Sequence, residues 1–394
     1  MKFRIGILGI LCIAALSAFA IRVRVAPEPA ANATAKYLPQ LEGKNVALVV
    51  NHTSMIKSVH LVDMLVENGV TVSKIFAPEH GFRGKADAGE HLANGIDKET
   101  GISVVSLYGD NKKPTKAHLT GVDVVVFDIQ DVGVRFYTYI STLQYVMEAC
   151  AENKVTLIVL DRPNPNGDYI DGPVLDMKHK SFVGMQAVPI VYGMTIGEYA
   201  LMLNGEGLLA NKVKCKLTVL PCTNYTHKSK YILPIAPSPN LKSAQSIMLY
   251  PSLCLFEGTE VSVGRGTDKP FMMWGHPSYK NNGFSFTPVA GESNKNPMYK
   301  DKKCYGANLD LPPYEIEKIV NKQLNLEFLR NAYKLSPNKA KFFVPFFTKL
   351  AGTTTLQQQI VAGKTDEQIR ASWKPGIDKF KKVREKYLLY PDFE

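Results

Sequence analysis

The sequence predicts an α/β protein: a doubly wound, mostly parallel sheet, followed by a smaller C-terminal α/β (α+β) domain. Three observations carry this. Short apolar runs, most of them rich in β-branched residues, recur at 45–50 (NVALVV), 72–76 (VSKIF), 102–107 (ISVVSL), 122–127 (VDVVVF) and 155–160 (VTLIVL), as strands covered on both faces do. Amphipathic helical patterns stand between several of them, and alternation of the two periods gives a layered α/β sheet. The chain has 394 residues, 45% of them hydrophobic and 21% charged, enough for two cores.

The elements follow in order. Residues 1–20, MKFRIGILGILCIAALSAFA, have a basic start (Lys2, Arg4), an apolar stretch too short to span a bilayer and an Ala18-Phe19-Ala20 cleavage pattern. They read as a secretory signal, which places the mature chain in the periplasm. Residues 21–40 read as an Ala- and Pro-rich linker. The N-terminal domain is expected over 41–239. A helix is expected over 54–68, with Ile56, Val59, Leu61 and Leu65 on one side, and another over 138–152 through Tyr139, Leu143, Val146 and Met147. A third spans 194–206, opened by the capping-box pattern Thr195…Glu198. Residues 216–222 (KLTVLPC) read as one more strand. A break near residues 237–240 opens the second domain, 240–394, which ends in helices such as 366–388.

The net charge of +11 and pI of about 9.1 suit an anionic partner. Lys and Arg are spread along the chain without a basic stripe interleaved with aromatics, so no nucleic acid is expected. An anionic cell-surface polymer fits equally well. There is no G-x-G-x-x-G after the first strand, no P-loop, no H-E-x-x-H and no nucleophile elbow. No close-spaced His or Cys pair calls for zinc. Neither a metal, another cofactor nor a protein partner is expected. Past the signal the chain has five cysteines, an odd count that leaves at least one thiol free. Cys215 and Cys222 are close enough to pair, but buried apolar thiols are the simpler reading.

Ligands of an open parallel sheet bind beyond the carboxyl ends of its strands. All five ends here carry polar chemistry: Asn51-His52 after the first, Glu79-His80 with Arg83 after the second, Tyr108-Gly109-Asp110 after the third, then Asp128, Gln130, Asp131, Arg135 and Tyr137, then Asp161-Arg162 and Asn164. Each has a plain structural reading. Glu79 could cap a following helix, Asp128 and Asp131 could favour a helix start, and Asp161-Arg162 reads as a structural ion pair. Arg135, between Val134 and Phe136, calls for a buried anionic partner.

In this order, FAPEHGFRG, VFDIQDVGVRFYTY, LDRPNPNG, IDGP, GMTIGE and FEGTEVSVGRGTDKPF resemble the NamZ family of exo-β-N-acetylmuramidases. The resemblance covers roughly residues 40–394. It implies a Rossmann-like N-terminal domain, a smaller C-terminal α/β domain and an active site in the cleft between them. It also implies release of a terminal N-acetylmuramic acid from the non-reducing end of peptidoglycan fragments. The glutamate of the family's E-H-G motif falls on Glu79, its leading catalytic candidate.

The residues agree with that chemistry. Glycoside hydrolysis needs an acid for the leaving oxygen, usually with a second carboxylate. Glu79 is the expected acid. Asp128 or Asp131 is the expected second group, acting on water or orienting the substrate's own acetamido group. Substrate binding is expected from Asn51, His52, His80, Arg83, Gln130, Arg135, Tyr137, Asn164, Glu260 and Arg265. Muramic acid carries a lactyl carboxylate, so a guanidinium from Arg83, Arg135 or Arg265 is needed. Two other classes stay open at this point: an exported muropeptide-binding protein without catalysis, and a metal-dependent amidase acting on the same polymer.

Overall fold

The computed structural model describes residues 25–82, 94–281, 283–291 and 294–394. The N-terminal half contains strands β1 (Asn45–Val50), β2 (Met55–Ile56), β3 (Val59–His60), β4 (Thr71–Ala77), β5 (Gly95–Ile96), β6 (Ser103–Ser106), β7 (Val124–Asp128), β8 (Thr156–Leu160) and β9 (Leu217–Leu220). Its α-helices are α1 (Leu38–Leu41), α2 (Leu61–Glu67), α3 (Lys116–Leu119), α4 (Tyr139–Asn153) and α5 (Ile196–Gly205). Seven strands form one sheet in the order β5-β6-β4-β1-β7-β8-β9. All its pairings are parallel except the edge pair β5–β6. The chain leaves β1 toward β4 and β6, then returns to the other side of β1 at β7, so β1 and β7 flank the switch point where such sheets bind ligands.

The central strands are apolar along their length because both faces are covered. Val46, Leu48, Val50, Ile75, Val124 and Val126 pack on one side with Leu61, Val62 and Leu65 of α2. Ala47, Val49, Phe76, Val125, Phe127 and Val159 join α4 and α5 on the other. The predicted helix at 54–68 is shorter than expected. Residues 55–60 form the small β2–β3 hairpin, and α2 starts only at Leu61, where the His60 side chain accepts the Val62 N–H. The capping box ahead of α5 is present: Thr195 accepts from the Glu198 N–H and Glu198 accepts from the Thr195 N–H.

The signal reading, residues 1–20, lies outside the described residues. The linker reading for 21–40 fails from Glu28 onward. Glu28 bridges Thr223, the Ala30 N–H donates to the Asp161 carbonyl, and Ala31, Tyr37 and Leu41 are fully buried. Small and proline residues here make a close-fitting strap across the strand ends.

The C-terminal half holds a three-stranded antiparallel sheet, β10 (Met273–His276), β11 (Ser285–Phe286) and β12 (Cys304–Asn308), in the order β10-β12-β11. Helices α6 (Ala244–Leu253), α7 (Pro313–Val320), α8 (Leu326–Leu335), α9 (Phe346–Ala351), α10 (Thr355–Val361) and α11 (Asp366–Arg384) complete this half. One hydrophobic core runs from β1 to α11 through both halves. The chain end returns to the first sheet, where the Tyr390 hydroxyl donates to Asp161 at 2.5 Å and the Leu389 N–H to Glu198 at 2.8 Å. All five cysteines past the signal are free and buried.

Candidate active site

The strand ends of β4, β6 and β7 open into a cleft whose far wall comes from the C-terminal half. It encloses about 820 Å³, open solvent at its mouth included. Glu79, His80 and Thr138 form the polar near wall; Tyr250, Glu257, Arg265 and Phe271 face them.

Glu79 stands on a tight turn directly after β4. The Gly81 N–H donates to the Pro78 carbonyl at 2.9 Å, and His80 sits at φ 69°. A left-handed histidine is uncommon and is held only where its surroundings over-determine it. The turn swings Glu79 out of the sheet, where it is half-buried. Thr138 Oγ1 donates to Glu79 Oε2 at 2.8 Å. Beneath it, Asn51 Nδ2 donates to the Tyr139 hydroxyl at 3.0 Å, and that hydroxyl approaches the Glu79 carbonyl at 3.5 Å. The end of β1 and the start of α4 therefore hold the Glu79 backbone from below, and Thr138 holds its carboxyl. Burial and the nearby Glu79 charge push the Tyr139 phenol well above its ordinary range, which keeps it neutral.

Most of VFDIQDVGVRFYTY is scaffold. Asp128 is fully buried, and both its oxygens are bound by Arg162, at 2.6 and 2.8 Å. Asp131 accepts from the Gly133 N–H at 2.7 Å and from the Tyr192 hydroxyl. Burial raises its pKa to about 6. Neither acid lines the cleft, which corrects their assignment as the second catalytic carboxylate. The ion pair predicted for Asp161-Arg162 is made instead by Asp128 and Arg162. Asp161 accepts from Thr195, Tyr390 and the Gly197 N–H.

Among the described residues Arg135 has no anionic partner. Fully buried, it donates to the carbonyls of Pro173 (2.9 Å), Val188 (2.8 Å) and Leu350 (2.8 Å), so it ties the two halves together and does not reach the cleft. Three aligned carbonyl dipoles replace the expected carboxylate. Burial pulls its pKa down to about 9, which still leaves it charged at neutral pH.

The remaining predicted residues divide. Glu79, His80, Tyr137 and Arg265 line the cleft. Tyr137 also donates to the Pro237 carbonyl at 2.8 Å. Asn51 acts through Tyr139. Gln130 is spent on the carbonyls of Asp131 and Pro163, and Asn164 on that of Met194. Asn164 also packs on Gly133, where a Cβ would lie 2.3 Å from its amide. His52 bonds the Ala236 carbonyl at 2.8 Å, and its pKa is lowered by burial. Glu260 is taken by the Ser336 hydroxyl, away from the cleft. Arg83 lies outside the described residues.

Sequence reasoning missed Thr138, Tyr250 and Glu257. Thr138 follows Tyr137 in a motif already singled out, and Glu257 stands three residues before Glu260 in FEGTE. The available signal was position in the motif, but only packing says which acid of FEGTE faces inward.

The NamZ N-terminal family profile matches residues 46–245, and the NamZ C-terminal profile residues 248–390. The chain is 38% identical over 382 residues, 90% of its length and 89% of the relative's, to the peptidoglycan β-N-acetylmuramidase NamZ of Bacillus subtilis (strain 168). Two solved structures are similar, both of DUF1343 family proteins from Bacteroides fragilis. One has 46% identity and a TM-score of 0.86, the other 30% and 0.80; each covers 93% of this chain and 100% of its own. The chain therefore belongs to the family of the exo-β-N-acetylmuramidase NamZ.

Proposed function

We propose that this chain is an exo-acting glycosidase that hydrolyses the terminal N-acetylmuramic acid from the non-reducing end of peptidoglycan fragments. The observation that carries it is Glu79: a carboxyl swung out of the sheet end, fixed by Thr138, at the wall of an aromatic-lined cleft. Family membership and the likeness to a curated peptidoglycan β-N-acetylmuramidase support the same reading.

Glu79 gives its proton to the glycosidic oxygen as the C1–O bond breaks. Water then adds at C1, and the proton it releases returns the carboxyl to its starting state. Aromatic rings on the walls, including Tyr137 and Tyr250, suit the apolar faces of a sugar ring. Fixing the reducing-side oxygen near Glu79 is what turns binding into rate. The signal-like residues 1–20 support export to the periplasm, where such fragments are met.

The test uses residues 21–394 with a chromogenic β-N-acetylmuramide beside the matching N-acetylglucosaminide, each with and without EDTA. Release from the muramide, unaffected by chelator, is the expected result. Binding of the muramide without release would move the chain to a binding protein. Loss of release with EDTA would move it to a metal-dependent hydrolase.

A further inference from the structure

We propose that Arg265 reads the lactyl carboxylate of the substrate, and that Glu257 is its positioning residue and not a second catalytic acid. This rests on the muramidase reading above and decides between Arg135 and Arg265, the two expected arginines that the structure describes. Of the arginines expected to do so, Arg135 is sealed and spent on three carbonyls, and Arg83 lies outside the described residues. Arg265 lines the cleft that Glu79 lines, with about a fifth of its side chain exposed (22%).

The way Arg265 is held is the argument. Its Nε donates to Glu257 Oε1 at 2.5 Å, and among the described residues no acceptor takes its two terminal Nη groups. A guanidinium gripped through Nε alone leaves a pair of parallel donors, the geometry that fits a carboxylate bidentately. The guanidinium also lies over the Phe271 ring, 5.1 Å from its centre. Phe271 takes φ 59°, a conformation that is a genuine outlier for a bulky residue, and its N–H is fixed to the Val263 carbonyl at 2.8 Å. Gly264 and Gly266 flank the arginine, both left-handed; a Cβ on either would come within 2.6 Å of Met273 or Pro297. Backbone strain, a stacked ring and a carboxylate therefore converge on one side chain. Strain of this kind marks functional positions.

The same contacts define Glu257. Its Oε1 is taken by Arg265, and Cys254 Sγ lies 3.5 Å from its Oε2. A carboxylate engaged with a guanidinium offsets its charge, and it fixes the rotation of the fork. Burial works against the Arg265 charge, yet Glu257 more than offsets this and holds the guanidinium firmly protonated.

The experiment compares kcat and KM of the wild type, Arg265→Met, Arg265→Lys and Glu257→Gln on the chromogenic muramide and glucosaminide. Where the glucosaminide is left uncleaved, the ratio is read instead as calorimetric affinity for N-acetylmuramic acid over N-acetylglucosamine. Failure of the wild type on the muramide overturns the muramidase reading itself. Given wild-type activity, Arg265→Met is expected to lower the muramide/glucosaminide ratio about 100-fold, the scale of losing a bidentate charged contact. Arg265→Lys, which keeps the charge without the fork, should recover part of it. Glu257→Gln still accepts from Nε, so it should raise KM for the muramide a few-fold with kcat nearly kept. An unchanged ratio in both Arg265 variants overturns the assignment of the arginine. A kcat loss of about 1,000-fold on both substrates in Glu257→Gln makes Glu257 catalytic and overturns its positioning role.

Discussion

Two sets of acids stand above the same sheet in opposite surroundings. At the ends of β7 and β8, Asp128, Asp131 and Asp161 are sealed, at most 4% exposed: Arg162 takes both oxygens of Asp128, Tyr192 and the Gly133 N–H take one oxygen of Asp131, and Thr195, Tyr390 and the Gly197 N–H take Asp161. At the end of β4 and across the cleft, Glu79 and Glu257 are only half-buried; Thr138 donates to Glu79, and Arg265 and Cys254 donate to Glu257. A buried carboxylate with all its partners sets the shape of a loop. A half-buried one at a cleft wall keeps reach toward a substrate. The difference teaches that polar strand ends are of two kinds: those that build the crevice and those that work in it.

The comparison breaks most clearly at its extremes. Glu79→Gln is expected to lower kcat on a muramic-acid-terminated fragment by about 10²- to 10⁴-fold, the usual worth of a general acid. KM and the thermal melt should hardly move. Asp128→Ala should do the reverse. It leaves Arg162 buried and unpaired, costing about 3–5 kcal/mol of stability, read in urea unfolding, while the folded fraction keeps its kcat. A dead but fully stable Asp128→Ala would erase the distinction between the two sets.

Asp131 sharpens it through pH. Burial raises its pKa from an ordinary 3.8 to about 6. Between those values the folded chain holds a proton that the unfolded chain releases. This stabilising contribution is full below about pH 4 and is lost as pH rises through about 6, in total about 3 kcal/mol. Asp131→Asn should remove that slope from the stability profile and leave activity within a few-fold of wild type. A pH–rate profile that shifts instead would put Asp131 in the chemistry. The smallest effect is at the edge of the active set. Thr138→Val deletes one hydrogen bond to Glu79 Oε2 and should cost about 1 kcal/mol, roughly fivefold in kcat/KM.

Much of this architecture was legible in one dimension. The five apolar runs are β1, β4, β6, β7 and β8 within a residue or two, because strands buried on both faces need continuous apolar sequence. The capping box at Thr195 and Glu198 is local and was read correctly. The crowding of polar groups at the strand ends was legible too, and Glu79, His80, Tyr137 and Arg265 are found lining the cleft. The helix over 54–68 was misread because an apolar stretch with turn residues fits both periods, and the β2–β3 hairpin won its first half.

What the tertiary structure decided is which polar residue is sealed and which faces water. Asp131 meets Tyr192 from 61 residues away, and Asp161 meets Tyr390 from 229. Arg135 is closed by a carbonyl 215 residues along the chain, and Glu260 by Ser336 at 76. The local sequence around Asp128 and Glu79 looks alike: an apolar run, then an acid. The sequence by itself determined the sheet, the caps and the belt of polar side chains at its carboxyl edge, since those follow from neighbours a few residues apart. The division of that belt into scaffold and cleft was left to the fold, because burial is a property of where distant segments come to rest.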